Sequence, residues 1–272
     1  MRGEVTPSAE ICSSRTNESC DGTAGCTGLP SWSKRFGDGD SQFGRSVAVD
    51  KAGNVYLTGT FDGTLNFGGG ALSGFHSIYL AKFDSAGNHL WSKNLGGILQ
   101  FATVFVDVAP DQSPIVAGDY NGTLTLGGGI SLTNNDGANA FVAKFDSSGN
   151  AVWAKQFGDT SGQTVTAANT DSAGNILLGA LPGTGIDFGG GNLTGTAVLA
   201  KLDSAGNHVW SKAFTVTGMN GMSVRGVGTD TSGNVYFGGA LNGMVNLGGA
   251  NLTSAGPDVR GQVYFGGRAR VE

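Results

Sequence analysis

Asp38, Asp40 and Gln42 share one short stretch, Gly37-Asp38-Gly39-Asp40-Ser41-Gln42. Asp159 and Gln163 recur at matching places in Gly158-Asp159-Thr160-Ser161-Gly162-Gln163. Carboxylates on glycine-rich loops can accept hydrogen bonds from sugar hydroxyls or hold a hard cation through oxygen. Asn220, in Val216-Thr217-Gly218-Met219-Asn220-Gly221, completes the candidate ligand-binding set. The plainer reading is that these are solvated loop residues, as most surface aspartates are. Covalent or acid–base chemistry has no visible carrier: there is no nucleophile elbow, no His-Glu-x-x-His and no paired carboxylate outside a repeated position. His76, His89 and His208 cannot be assigned to one metal from spacing. No catalytic residue, metal ligand or cofactor is therefore expected.

The elements that would position these loops are repeated. All four tryptophans, Trp32, Trp91, Trp153 and Trp210, stand 59, 62 and 57 residues apart. Three lie in the words Trp91-Ser92-Lys93, Trp153-Ala154-Lys155 and Trp210-Ser211-Lys212, each preceded by Asp-Ser-Ala/Ser-Gly-Asn at 84–88, 146–150 and 203–207. A fixed period of this size marks units that bury their apolar faces only against their neighbours.

Within the first full unit, 46–50, 55–61, 78–83 and 89–95 are apolar-rich runs separated by Asp, Gly and Asn, which predicts four short strands joined by hairpins. Tyr79, Ala81 and Phe83 share one face with their counterparts Phe141, Ala143, Phe145 and Val198, Ala200, Leu202. Lys82, Lys144 and Lys201 alternate to the other face, where they are expected to meet solvent and discourage foreign strand pairing. The triplets at Gly68–Gly70, Gly127–Gly129 and Gly189–Gly191 lack the Lys-Ser/Thr of a phosphate loop and read as turns of an extra small hairpin. The Asp-x-x-Gly-Asn turns lack a calcium ladder and read as structural. The tryptophans, at a repeated strand position, read as packing rather than sugar-stacking residues.

Four antiparallel strands in about 60 residues, repeated, make an all-β fold of β-propeller type. Ser31–Gly37 reads as a lone fourth strand, and the last unit has strands one and two at 223–230 and 235–241, a third over 262–268, and no fourth. The N-terminal strand would then close a ring of four blades; the alternative is part of a larger propeller. The segment 1–30 reads as a cysteine-bearing head or linker before the propeller at 31–272.

Composition narrows the class further. Charged residues are 14%, hydrophobic residues 39%, and Gly numbers 49 of 272. Glu occurs only as Glu4, Glu10, Glu18 and Glu272, so the repeats are strand-and-turn material rather than helix material. A net charge of −5 without a basic cluster argues against nucleic acid. Cys12, Cys20 and Cys26 precede the repeats; one disulfide with a thiol left over and a two-cysteine metal site both remain open, the spacing fitting no zinc pattern. No hydrophobic run is long enough for a signal peptide or a membrane span, so either the start lies upstream or the chain is not exported as written.

The stretch 32–59 (WSKRFGDGDSQFGRSVAVDKAGNVYLTG), continued by IYLAKFDSAGN at 78–88, resembles the bacterial β-propeller repeat known as SBBP. The resemblance extends over about 31–260. It implies a propeller in an extracellular or cell-surface setting and carries over no catalytic residues. Two departures stand out: the family's better-known arrangement has seven blades, and unit two has Pro110–Pro114 where Asp-x-x-Gly-Asn should stand, which predicts a looser hairpin there.

In such a blade the turns between strands one–two and three–four fall on one face of the disc, and the longer two–three and four–one connections on the other. The latter face holds the variable loops and is the expected binding face. The leading expectation is a non-enzymatic, monomeric propeller scaffold whose partner is a protein or a glycan. The alternatives are a propeller enzyme of lyase or hydrolase type at the channel mouth, or a structural spacer or truncated product without ligand.

Overall fold

The computed structural model describes residues 32–97, 102–254 and 267–269, with the backbone alone at 218–220 and 267–269. The chain divides into two compact units, Met1–Arg35 and Phe36–Glu272. The three cysteines lie outside the described residues.

Every regular element among the described residues is a strand. The first module runs β1 (Gln42–Val49), β2 (Val55–Asn66), β3 (Ala71–Phe83) and β4 (His89–Gly96); the second, β5 (Val104–Val108), β6 (Pro114–Gly127), β7 (Ile130–Phe145) and β8 (Ala151–Phe157). The third runs β9 (Thr164–Thr170), β10 (Ile176–Leu181), β11 (Ala197–Leu202) and β12 (His208–Phe214). The fourth contains β13 (Thr217–Thr229), β14 (Val235–Asn246), β15 (Asn251–Thr253) and β16 (Gly267–Ala269). Each of the first three modules is a four-stranded antiparallel meander. A single bridge, Gly96 to Leu124, ties the first to the second.

The local cause of the meander is the Asp-x-x-Gly-Asn turn. Asp50 Oδ1 accepts the Ala52 and Asn54 backbone N–H groups at 3.0 and 2.8 Å, and Oδ2 accepts the Asn54 amide at 2.8 Å. The same clamp recurs at Asp84, Asp171, Asp203 and Asp230, and its backbone part at Asp146. Gly53 takes the φ of +81° that closes the turn. Unit two keeps the backbone pattern without the clamp: Ala109 N–H reaches the Ser113 carbonyl at 2.9 Å, and Gln112 occupies the glycine position at φ +68°.

The Gly triplets do turn a further hairpin, which extends β2 and β3 beyond the expected 55–61 and 78–83. The second module repeats this, the fourth does so with β14 and β15, and the third keeps only the bridge Ile186–Leu193. The Gly69 and Gly190 sites are close approaches: a Cβ would fall 2.0 Å from His89 Cε1 at the first and 2.2 Å from His208 Cε1 at the second.

The core lies between modules. Tyr56, Ile78 and Leu80 of the first meet Val104, Val116 and Phe141 of the second. Ile115, Ala117 and Val142 meet Ile176, Leu178 and Val198; Leu199 and Phe214 meet Met222, Val224 and Phe237. Each fully buried side chain of this kind contributes about 1.5–3 kcal/mol. Trp91 and Trp153 clasp the following module. The Trp91 indole N–H donates to the Ser147 carbonyl at 2.9 Å and its ring lies against Gly149, while Trp153 lies against Gly206. Lys155 Nζ adds a hydrogen bond to Asn207 at 2.9 Å.

Three expectations are corrected. The strand lysines do not face solvent. Lys82, Lys144 and Lys201 pair with Asp50, Asp111 and Asp171 at 3.7, 2.6 and 2.8 Å, with only 11–14% of each lysine side chain exposed. The face that carries each lysine packs on the following module, so alternation does not turn it toward water, and a lysine there needs a carboxylate. Second, 217–221 is not a loop: β13 begins at Thr217, which pairs with Met244 in the extension of β14.

Third, residues 32–41 carry no strand, so the expected closing strand over 31–37 is not formed among the described residues. A fourth strand needs the edge of a third, and of that third strand only Gly267–Ala269 is described, paired with Val235–Phe237. The register there matches the earlier modules: Arg268 stands opposite Tyr236 as Lys82 stands opposite Tyr56. Phe36 nonetheless packs on Phe67 and Phe83, with ring centroids 5.0 and 5.4 Å away, much as Phe157 packs on Phe188 at 4.9 Å. Among the described residues the inner strands pack in the row β1, β5, β9, β13, and no comparable packing joins β13 back to β1.

Candidate functional site

The loops entering modules one and three are closed by the same knot. Asp38 Oδ1 accepts the Asp40 N–H at 2.8 Å and the Gln42 amide at 2.7 Å, and Oδ2 accepts Thr64 N–H at 2.6 Å. Asp159 Oδ1 accepts the Ser161 N–H and hydroxyl at 2.9 and 2.5 Å and the Gln163 amide at 2.5 Å, and Oδ2 accepts the Thr184 hydroxyl at 3.2 Å. Gln163 is fully buried and also reaches the Gly185 carbonyl at 3.1 Å. Donors converging on a carboxylate stabilise its charge. The backbone N–H of Asp40 holds Asp38 below the usual carboxylate range, and the Ser161 hydroxyl, foremost, holds Asp159 down at about 2.

Asp38 and Asp40 both lie against Gly63, where a Cβ would fall 2.8 and 2.2 Å from their Oδ2 atoms. Asn220 lies on the described backbone of β13, without a described side chain. The expected residues thus form two separate knots rather than one site. His76 Nδ1 lies 2.9 Å from Asp62, and His89 and His208 each hydrogen-bond a serine of their own strand, Ser92 at 3.1 Å and Ser211 at 3.0 Å. Among the described residues no three His, Cys, Asp or Glu gather as a metal site would need.

Two cavities bear on function. One, of about 490 Å³, opens at the ends of β1, β5 and β9 beside the first turns, with Asp50, Lys51, Asp107 and Asp171 on its wall. Its carboxylates serve the scaffold: Asp50 and Asp171 clamp their turns, and Asp107 Oδ2 accepts the Thr170 N–H and hydroxyl, both at 2.7 Å. The other, of about 380 Å³, lies on the variable-loop side, where Asp136, Asn139 and Gln156 of module two face Asp159 and Thr160. Of these, sequence reasoning singled out Asp159 alone. The signal it left unused is Thr133-Asn134-Asn135-Asp136, a polar run with no counterpart after the Gly triplets of the other units.

Comparison with known proteins agrees with the repeat. Residues 31–64 match the family described as SBBP, Beta-propeller repeat. An uncharacterized WD repeat-containing protein, L264, of Acanthamoeba polyphaga mimivirus is 26% identical over 167 residues, 53% of this chain and 12% of that protein. The regulatory protein FlaEY of Caulobacter vibrioides is 29% identical over 184 residues, 63% of this chain and 19% of that protein. The chain therefore spans a fifth or less of the curated relatives it matches. Among solved structures, a protein of unknown function from Bacteroides caccae gives a TM-score of 0.40 at 12% identity, covering 78% of this chain and 61% of that one. Synechocystis apocarotenoid oxygenase gives 0.33 at 13%, covering 73% and 45%. Among the described residues no helix is long and apolar enough to cross a membrane. Residues 31–64 are a β-propeller repeat of the SBBP type, and the modules that follow restate its strands and turns.

Proposed function

We propose that this chain is a non-enzymatic, extracellular or cell-surface propeller scaffold that binds a protein or glycan partner through its variable-loop face. In this reading it is a monomer of four blades. What supports the reading is the internally tied loop face, where the Asp38–Gln42 and Asp159–Gln163 knots fix two loops before any partner arrives. Loops held in one conformation lose less entropy on binding. Phe36, seated on the first module, supports closure.

A glycan array and a panel of surface proteins, probed with the full chain, should give a specific partner. Binding should weaken when Asp38 and Asp159 are changed together to alanine, which frees both loops. Binding that ignores this double change would refute the loop-face reading, and scattering dimensions of an open arc would refute four-blade closure. One observation favours the second reading, an enzyme at the channel mouth: the cavity carrying Asp50, Asp107 and Asp171. Lyase or hydrolase turnover abolished by Asp107→Asn would establish that reading in place of the first.

A further inference from the structure

We propose that the cavity between module two and the 158–160 loop is a subsite for one hydroxyl-rich sugar residue of a glycan. This rests on the scaffold reading above and narrows it to one place and one ligand class. The side chains that line the cavity are polar, among them Asn135, Asp136, Asn139, Gln156, Asp159 and Thr160.

Asn139 points most directly to a ligand. It is 6% exposed, its Oδ1 is buried without a hydrogen-bond partner, and it lines the cavity. A buried acceptor left unmade costs about 1–3 kcal/mol, which an incoming donor would recover. The strand registers put Ser77 and Thr196 at the equivalent places in modules one and three. Both of those hydroxyls are satisfied at home: Ser77 donates to the Phe75 carbonyl at 3.3 Å, and Thr196 accepts the Val216 N–H at 3.0 Å. Among the three modules described at this place, module two alone swaps the hydroxyl for an amide and leaves the amide oxygen open.

The surrounding groups suit hydroxyls better than a bare ion. Asp136 is exposed with no ion pair among the described residues, and Asp159 already spends Oδ1 on three donors. That leaves Asp136 as the one carboxylate there with both oxygens uncommitted, and no three His, Cys, Asp or Glu gather among the described residues to concentrate the charge a calcium site relies on. Amides beside carboxylates alternate donors with acceptors, and a sugar hydroxyl both donates and accepts. A volume of about 380 Å³ falls in the range of small-molecule sites. Without an aromatic platform for the apolar face of the ring, affinity for a single sugar should be weak, with Kd on the order of 1 mM.

The test is saturation-transfer NMR of the full chain with glucose, galactose, mannose, N-acetylglucosamine and fucose, alongside calorimetric titration with calcium chloride. At least one sugar should bind, and Asp136→Ala and Asn139→Ala should each weaken it tenfold or more. Asp136 is exposed, so its variant decides the matter even if Asn139→Ala folds poorly. Binding of no sugar, or of calcium alone, overturns the proposal. Sugar binding that Asp136→Ala leaves unchanged also overturns it while leaving the loop-face scaffold standing, so the two readings fail separately.

Discussion

Replacing Asp171 with asparagine tests what the repeated lysine–aspartate pair contributes. An amide oxygen can still accept the Ala173 and Asn175 N–H groups, each at 2.9 Å, so the turn keeps its shape. What disappears is the charge 2.8 Å from Lys201 Nζ, between side chains 5% and 14% exposed, together with the Oδ2 acceptor of the Asn175 amide at 2.8 Å, a loss that the Asp203→Asn control shares. Removing one member of a buried pair costs roughly 3–5 kcal/mol. Lys201 can swing part of its ammonium toward solvent, so we expect about 2–3 kcal/mol, or a Tm lower by roughly 5–10 °C for a chain of this size. Asp203→Asn is the matched control: its turn has the same bonds at 2.9, 2.8 and 3.0 Å, but its carboxylate is exposed, and its loss should stay below about 1 kcal/mol. Burial pushes the Asp171 carboxyl up, but hydrogen bonds from Lys201 and Asn175 and the lysine charge outweigh burial and hold it below its ordinary range. A depressed folded pKa gives stability that is present above the unfolded value near 4 and lost as pH falls through the folded one. The difference between the parent protein and Asp171→Asn should therefore narrow below about pH 4. Circular-dichroism melts from pH 3 to 7 read both effects. Equal losses in the two variants, or a difference unchanged at pH 3, would refute the charge-pair account.

Gly190→Ala places a Cβ 2.2 Å from His208 Cε1 and should break the His208–Ser211 hydrogen bond, lowering stability by about 1–2 kcal/mol in urea melts. In a His208→Ala background the same substitution should be nearly neutral. Trp91→Phe removes the indole donor to the Ser147 carbonyl and should cost about 1 kcal/mol by thermal melt; no loss would remove the clasp from the account of how modules join. Asp119 runs opposite to Asp171: burial pushes its carboxyl up to about 6, although Thr103 donates to it. Its folded pKa lies above the unfolded one, so stability falls as pH rises from about 4 to 6. Asp119→Asn should be near neutral at pH 4 and stabilising by about 2 kcal/mol at pH 7, and an effect equal at both would contradict this.

The repeat was legible because its chemistry is local. An aspartate that accepts the N–H groups two and four residues on, followed by a glycine at positive φ, writes a turn into five consecutive letters. The lysine pairs were not legible, since Lys201 and Asp171 stand 30 residues apart and meet only because both sheet faces are buried. Unit two shows which part of the word matters. It gives up the clamp and the glycine at Gln112, yet Asp111 still reaches Lys144 at 2.6 Å, so the charge partner outlasts the turn motif. The knots are local words of the same kind. Aspartate and glutamine four residues apart look like ligands waiting for a guest, but that spacing also lets the glutamine amide satisfy the aspartate of its own loop.

Residues that recur in every module are thus occupied in joining strands and modules, and recognition falls to residues that break the pattern. The clearest break is in module two, where Asn134, Asn135 and Asp136 follow the Gly turn and Asn139 replaces a hydroxyl satisfied elsewhere. A scaffold of near-identical modules can discriminate among partners only through such differences, because identical modules present the same groups at every step around the fold. Changes at exposed Asp136 should therefore alter binding with little effect on stability, while changes at Asp171 or Trp91 should do the reverse.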